Sequence, residues 1–193
     1  MKKTFLILFS AIFATLLSSC EKAPSIDTFN TLMEEAVDGG ILLQDKKEYI
    51  DGTLHWSYDP NQMGLSMYSR MAQSGVLLFY SDGTCRKCYT DLLSNDARYF
   101  YRTLYWEADA ERRIIRLTDK ALQEVGAQFA VTELKLTSRS GNNLGFRGLI
   151  PTGAYSENRE VYFEYSGTLF DADKRVVEEA RYRSDVEDPR AQQ

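Results

Sequence analysis

The sequence describes a mildly acidic chain of about the size of one domain. It has 193 residues, and 28 acidic side chains outnumber 23 lysines and arginines. Binding to nucleic acid depends on clustered cations, so we expect no nucleic-acid partner. Aromatic residues make up 12% of the chain, with 12 Tyr and 10 Phe, and only 4 Pro are present. This composition favours β-strands, and the chain is long enough to bury a hydrophobic core.

The first 19 residues have the features of a secretory signal. A basic start at Lys2 and Lys3 precedes a mainly apolar stretch over Thr4–Leu17, and two serines lead to Cys20. Such signals are removed and take no part in the fold. The apolar stretch is shorter than the roughly 18–20 residues that a membrane-spanning helix needs, which argues against a transmembrane anchor. We therefore predict a signal peptide over residues 1–19.

The run Leu17-Ser18-Ser19-Cys20 resembles the lipobox of bacterial lipoproteins. The resemblance implies cleavage before Cys20 and attachment of acyl chains, such as palmitate, to the new N-terminal cysteine. Several chains anchor a protein stably, so we expect a lipid-anchored cell-envelope protein in the outer membrane, with residues 20–25 as its linker. Glu21 and Lys22 match in part the charges that direct Bacteroidetes-type lipoproteins outward, so the periplasmic or surface side stays open. An ordinary secretory signal containing a cysteine is the alternative.

A helix is predicted directly after this linker. Ser25 or Asp27 can cap its first turn, and Asp38-Gly39-Gly40 ends it. The apolar residues of its buried face recur at helical spacing. They are Ile26, Phe29, Leu32, Met33 and Ala36. We expect this amphipathic helix to pack on the domain rather than on a partner.

Short apolar stretches separated by turn residues then predict a series of strands. They are predicted over Ile41–Gln44, Thr53–Tyr58, Val76–Tyr80, Thr84–Tyr89, Tyr99–Trp106, Arg113–Leu117, Phe129–Ser138, Leu144–Ile150 and Glu160–Leu169. Asp82-Gly83 between two such stretches is a strong hairpin signal. Met63–Ser74 stays open between a short helix and a packed loop. Thr118-Asp119 can cap a short helix that ends at Gly126, and a charged helix is predicted over Lys174–Tyr182.

The stretch from Leu78-Phe79-Tyr80-Ser81-Asp82-Gly83-Thr84-Cys85 through Trp106 to Ser166 resembles the lipocalin-like (calycin) domains of Bacteroidetes lipoproteins. Those domains have an apolar strand, an Asp-Gly-Thr turn, a later Trp strand and a late Gly-Asn turn, for which Gly141-Asn142 stands here. The resemblance implies a small barrel that binds a small apolar molecule, and it carries over no catalytic residues.

The predicted fold is therefore mainly β. We expect an antiparallel lipocalin-like barrel or sandwich of about 8–9 short strands over residues 26–183, with an N-terminal helix and a charged C-terminal helix. Residues 184–193 are expected to form a frayed tail.

Cys85-Arg86-Lys87-Cys88 is the one motif that suggests covalent chemistry. A disulfide would need Cα atoms within about 7 Å, whereas residues three apart on a strand lie about 10 Å apart. Either the thiols stay separate, or Arg86 and Lys87 form a turn or bulge. In a redox role the two cations would lower a thiol pKa. A zinc site needs about four ligands, and His55 is the one histidine, so we expect no metal and no cofactor.

The predicted strand over Tyr99–Trp106 supplies candidate ligand-binding residues. Phe100, Leu104 and Trp106 share one face, and Tyr99, Tyr101 and Tyr105 share the other. The tyrosine stripe, with Trp106, could line a ligand cavity or a sugar-binding face, and a half-buried sheet surface is the alternative.

No set of residues typical of an active site accompanies these features, so we expect no enzyme. The leading expectation is a lipid-anchored protein that binds a small apolar ligand or an envelope protein. The alternatives are an accessory subunit of an envelope complex that uses the tyrosine stripe, and a thiol-redox protein that uses Cys85 and Cys88.

Overall fold

A computed structural model describes residues 23–50, 52–55, 75–90, 99–126, 130–149 and 161–181. Within these ranges the chain forms three helices and nine strands. In chain order they are α1 (Ile26–Asp38), β1 (Gly40–Ile50), β2 (Thr53–His55), β3 (Gly75–Phe79), β4 (Thr84–Thr90), β5 (Tyr99–Asp109), β6 (Ile114–Thr118), α2 (Lys120–Glu124), β7 (Val131–Ser140), β8 (Asn143–Leu149), β9 (Val161–Phe170) and α3 (Ala172–Arg181). The kind and order of the predicted elements are confirmed in these ranges. The predicted element over Met63–Ser74 lies outside them.

Eight of the strands form a closed antiparallel barrel. Each strand from β3 to β9 pairs with the next one along the chain, and β1 closes the ring by pairing with β3 on one side and β9 on the other. Strand β2 adds a short hairpin to the second half of β1, where Ile50 pairs with Thr53. Of the two predicted architectures, the barrel is therefore the correct one.

The two ends of the barrel differ in how the strands are joined. At the end that we call the helix end, β3–β4, β5–β6 and β7–β8 are joined by short turns, and α1 leads into β1 there. Gly83 in the first of these turns has a φ of 84°, a conformation that favours glycine, as the predicted Asp82-Gly83 hairpin requires. At the opposite end, which we call the loop end, β4, β6 and β8 finish, β5, β7 and β9 begin, and α2 follows β6.

Helix α1 packs its apolar face into the helix end. The Ser25 Oγ accepts a hydrogen bond of 3.1 Å from the Thr28 N–H, so Ser25 is the cap. Phe29 and Leu32 are fully buried in the main core cluster, whereas Ile26 at the start of the helix is 44% exposed. The prediction that this helix packs on its own domain is confirmed.

The inward-facing apolar side chains of the strands form one core cluster together with α1. This core contains Ile41, Leu43, Leu77, Phe79, Cys85, Leu104, Ile115, Leu117, Leu134, Leu136, Leu144, Phe146, Phe163, Tyr165 and Leu169. Their alternation with outward-facing residues is the period-two pattern that the sequence contains.

Helix α3 lies outside the barrel, and Arg175 joins it to α1 and β3. The Arg175 Nη1 donates hydrogen bonds to the carbonyl oxygens of Val37, Gly39 and Phe79, over 3.2, 3.0 and 3.1 Å. Its guanidinium also lies 4.5 Å from the centre of the Tyr80 ring. None of the helices within the described ranges has the length and apolar character needed to cross a membrane.

Candidate functional site

On β4 and β5 the inner face of the barrel changes from apolar to charged towards the loop end. Lys87 pairs in register with Leu77 on β3 and with Arg102 on β5, and Leu77 belongs to the core. Because paired residues share a face, Lys87 and Arg102 lie on the inner face, one inward position beyond Cys85 and Leu104. Arg102 is only 5% exposed. This charged position is the candidate site.

Arg102 forms a buried ion pair with Asp119, the residue that precedes α2. The Arg102 Nη2 lies 2.7 Å from the Asp119 Oδ2, and Asp119 is also 5% exposed. The other carboxylate oxygen, Oδ1, accepts a hydrogen bond of 3.1 Å from the Leu122 N–H, so Asp119 is the residue of the predicted Thr118-Asp119 pair that caps α2. The Asp119 N–H donates to the Ala130 carbonyl oxygen over 2.7 Å. The carboxylate is therefore held in place by its backbone and by α2.

A buried ion pair beside an apolar core is chemically unusual. Removing two charges from water costs several kcal/mol for each ion, and apolar replacements of such pairs are often neutral or stabilising. Ligand pockets are mostly apolar with a few precisely placed polar groups, which is the chemistry found at this position. The arrangement can orient the polar group of a molecule whose apolar part lies towards the core.

The predicted ligand-binding residue Trp106 lies on the inner face but at the other end of the barrel. Its ring packs edge-on against Phe79, with centroids 5.6 Å apart and planes at 89°. Its indole Nε1–H donates to the Tyr80 carbonyl oxygen over 3.0 Å. Trp106 is separated from Arg102 by Leu104, so it is a packing residue of the helix end rather than part of the charged position.

The tyrosines of the same strand lie on the outer face of the barrel. Tyr101 pairs with Cys88 and stacks with the Arg86 guanidinium, which lies 4.5 Å from its ring centre. Tyr105 is 39% exposed, and the Lys120 Nζ lies 3.7 Å from its ring centre. These two tyrosines cannot line the barrel interior, so only their role on an outer surface remains. The side chain of Tyr99 lies outside the described part of the chain.

The two cysteines of the Cys-x-x-Cys motif face opposite sides of β4. Cys85 pairs with Phe79 inside the barrel, Cys88 pairs with Val76 on the outer face, and both are free thiols. Arg86 and Lys87 continue the strand, without the turn or bulge that a disulfide would need. Burial raises the pKa of the Cys88 thiol to about 11 and raises the pKa of Cys85 further. Because redox cysteines need a lowered pKa, this geometry does not favour the thiol-redox alternative.

Metal binding finds no support in the described ranges, where no group of three or more His, Cys, Asp or Glu side chains is placed to hold an ion. His55 belongs to β2, but its side chain lies outside the part of the protein that the structure describes.

A cavity of about 400 Å³ opens on the outer surface of the helix end. It is lined by Glu35, Asn142, Leu169, Phe170, Asp171 and Ala172. Its two carboxylates already have partners, because Glu35 pairs with Arg139 and Asp171 accepts a hydrogen bond of 3.0 Å from the Lys174 N–H. This cavity offers space but few free polar groups, so the inner charged position is the stronger candidate.

The sequence reasoning did not identify Arg102. Its signal was present, because Arg102 interrupts the apolar inner face that Leu104 and Trp106 share on β5. A charge on the buried face of a strand is rare and needs a partner, and that partner is Asp119.

Comparisons with protein-family models, with curated proteins and with solved structures found no match. The resemblance to lipocalin-like lipoproteins therefore stays a prediction, and the function has to be argued from the barrel and its charged position.

Proposed function

We propose that this chain is a lipid-anchored, non-enzymatic protein of the cell envelope whose barrel binds a small, mainly apolar ligand. The observation that carries the proposal is the Arg102–Asp119 ion pair, which lies on the inner face beside the apolar core. Apolar core residues beside a buried ion pair suit a molecule that has an apolar body and one polar group. Helix α1 packs into one end of the barrel, so the proposal has the ligand enter at the opposite, loop end.

The anchor is the part of this proposal that rests on the Leu17–Cys20 run. Mass spectrometry of the N-terminal peptide from membrane-purified protein tests it. We expect a peptide that starts at acylated Cys20, and we expect the Cys20→Ser variant to keep its leader. An unmodified mature N-terminus in the wild-type protein would contradict the anchor.

Ligand binding can be tested with an anilinonaphthalene sulfonate dye, which joins apolar rings to one anionic group. We expect saturable binding to the folded wild-type protein. The Arg102→Met variant is expected to bind about tenfold more weakly, since hydrogen bonds to charged groups contribute roughly 1.5–3 kcal/mol. Arg102→Lys keeps the charge and is expected to restore part of the affinity. Circular dichroism establishes that each variant is folded.

Arg147→Met is the matched control for this experiment. Arg147 forms a similar pair with Glu164, over 3.3 Å, but on the outer face of β8 and β9, where both side chains are well exposed. We expect the control to bind the dye as the wild type does. Equal affinities in the Arg102 and Arg147 variants, or no saturable binding by the wild type, would contradict a ligand site at the charged position.

A second candidate function is that of an accessory subunit in an envelope complex. The observation that favours it is the outward-facing Tyr105, which is 39% exposed beside Lys120. Tyrosine is enriched at protein interfaces relative to the rest of the surface. If this function is correct, pull-down from membranes returns a partner with the wild type and loses it with Tyr105→Ala. Recovery of no partner by the wild type would contradict it.

A further inference from the structure

We infer that the barrel stands on the membrane with its helix end towards the lipid and its loop end away from it, so that ligand exchanges with the aqueous phase rather than with the bilayer. This inference rests on the proposed anchor at Cys20. The proposed anchor says only that the protein is attached to the membrane. The orientation of the barrel follows from where the chain enters it and from the short length of the linker.

The chain enters the barrel at the helix end and is fixed there. Near the start of α1, the Thr28 carbonyl oxygen accepts a hydrogen bond of 3.3 Å from the Arg139 Nη1, and Arg139 also pairs with Glu35. Arg139 is the second-last residue of strand β7 and lies beside the β7–β8 turn. The first turn of α1, and therefore Ser25, lies against the rim of the helix end.

The other end of α1 is held as well. Arg175 of α3 donates to the carbonyl oxygens of Val37 and Gly39, and Phe29 and Leu32 are fully buried between these two attachments. Because α1 is held at both ends and along its face, it cannot turn away from the barrel without exposing core residues. The direction in which the linker leaves is therefore a property of the fold.

The linker is too short to reach the loop end. Cys20 and Ser25 are joined by a stretch that spans at most about 18 Å when fully extended. Strand β9 has 10 residues, so its length is about 33 Å, and a tilt of about 40° gives a barrel wall roughly 25 Å high. An acyl group on Cys20 therefore cannot lie in the plane of the loop end, and a bilayer that holds this anchor contacts the helix end.

The inference can be tested with single fluorescent labels at opposite ends of the acylated, full-length protein on vesicles. Asn142→Cys places the label in the β7–β8 turn of the helix end, and Gln123→Cys places it on α2 at the loop end, and both positions are exposed. The native thiols Cys85 and Cys88 are buried, so the unsubstituted protein serves as the control for background labelling. Lipids that carry a spin label on the headgroup quench fluorophores near the bilayer surface. We expect quenching to be several-fold stronger at position 142 than at position 123.

A longer linker should remove the difference between the two labels. An insert of about 20 Gly and Ser residues after Lys22 adds roughly 25 Å of average reach, which is enough to pass the barrel wall. Quenching at position 142 is then expected to fall towards the value at position 123.

The outcomes separate this inference from the proposed anchor. Protein that floats with vesicles but shows equal quenching, or stronger quenching at position 123, keeps the anchor and overturns the orientation. Protein that does not float with vesicles overturns the anchor, and the orientation falls with it.

Discussion

The Asp119 carboxylate makes two separate contacts inside the protein. One oxygen accepts from the first turn of α2, and the other lies 2.7 Å from the Arg102 guanidinium. We predict that Asp119→Ala lowers the free energy of unfolding by about 3–5 kcal/mol, because it breaks a buried ion pair and also removes a helix cap. Urea denaturation followed by circular dichroism measures this change.

Asp109→Ala is the matched control for that variant. Asp109 also accepts from a backbone N–H, that of Arg112, over 3.0 Å, and also faces the Arg112 guanidinium, at 3.7 Å. Both side chains are well exposed, so we expect a loss of about 1 kcal/mol or less. Losses of equal size at Asp109 and Asp119 would show that burial of the ion pair contributes nothing.

Asp82 in the β3–β4 turn provides a prediction of pH dependence. Hydrogen bonds from the Thr84 hydroxyl, at 2.6 Å, and from the Thr84 N–H, at 2.9 Å, lower the pKa of the Asp82 carboxyl. A lowered pKa in the folded state means that the contribution to stability is complete above the ordinary carboxyl pKa and is lost as pH falls through the lowered value. The turn should therefore weaken only in acid.

Nuclear magnetic resonance titration of Asp82 in wild type and Thr84→Val measures this effect. The variant keeps the backbone donor and a β-branched side chain but loses the hydroxyl, so we expect the pKa of Asp82 to rise towards its ordinary value. Thr84→Ser keeps the hydroxyl and should leave the pKa low. An unchanged pKa in Thr84→Val would assign the shift to the backbone alone.

Single residues also mark how far the sequence could predict the candidate site. The faces of β5 were predicted correctly for Leu104, Trp106, Tyr101 and Tyr105, because alternation is a local property of a strand. The ion pair was not predicted, since Arg102 and Asp119 meet only through the pairing of β5, β6 and β7. The closure of the barrel decides which face of β5 points inwards. The sequence alone therefore could not exclude the tyrosine stripe from the barrel interior.

The attachment of α3 involves whole elements, and Arg175 makes three of its hydrogen bonds. Arg175 donates to three carbonyl oxygens from the ends of α1 and β3 and also pairs with Glu179, over 3.0 Å. We predict that Arg175→Ala loosens α3 while the barrel stays folded. Loss of these contacts should cost about 1.5–3 kcal/mol, which corresponds to roughly 10–100-fold faster hydrogen exchange of the α3 amides.

Hydrogen exchange read by mass spectrometry distinguishes α3 from the barrel. Lys174→Ala serves as the control, because Lys174 precedes Arg175 and is exposed. We expect slow exchange of the α3 amides in the control and unchanged exchange in the barrel strands of both variants. Equal exchange of α3 in the two variants would contradict the role given to Arg175.

Elements were predicted best where their sequence shows a period. Strands β3 to β9 lie within a few residues of their predicted bounds, because each has an apolar inner face. Strand β1 was predicted to stop at Gln44 but continues to Ile50. Its second half, which begins Asp45-Lys46-Lys47-Glu48, has no apolar alternation, and a bulge shifts the register between Gln44 and Lys47. Pairing with β9 and β2, rather than local composition, forms that half of the strand.

Barrel closure belongs to the whole molecule. The pairing of β1 with β9 joins residues from opposite ends of the domain, from Gly40 with Phe170 to Ile50 with Val161. The patterns of the strands suit a sandwich and a barrel equally well, and the sequence contains no local signal for closure.

The glycines after α1 have a related explanation. They were predicted to stop the helix, but a Cβ at Gly39 or Gly40 would also collide with Phe170 at the end of β9.

The same closure makes α1 essential to the whole barrel. Phe29, Leu32 and Met33 are buried among inward-facing side chains of the strands. Burial of these three side chains contributes about 5–9 kcal/mol, which is comparable with the total stability of about 5–15 kcal/mol that is typical of a domain.

We therefore predict that a chain starting at Gly39 shows no cooperative thermal transition, whereas a chain starting at Cys20 does. A substitution confined to the exposed start of the helix, Ile26→Ala, should leave the midpoint within a few degrees of the wild type. A cooperative transition in the shorter chain at the wild-type midpoint would mean that α1 is only an attachment of the barrel and not part of its core.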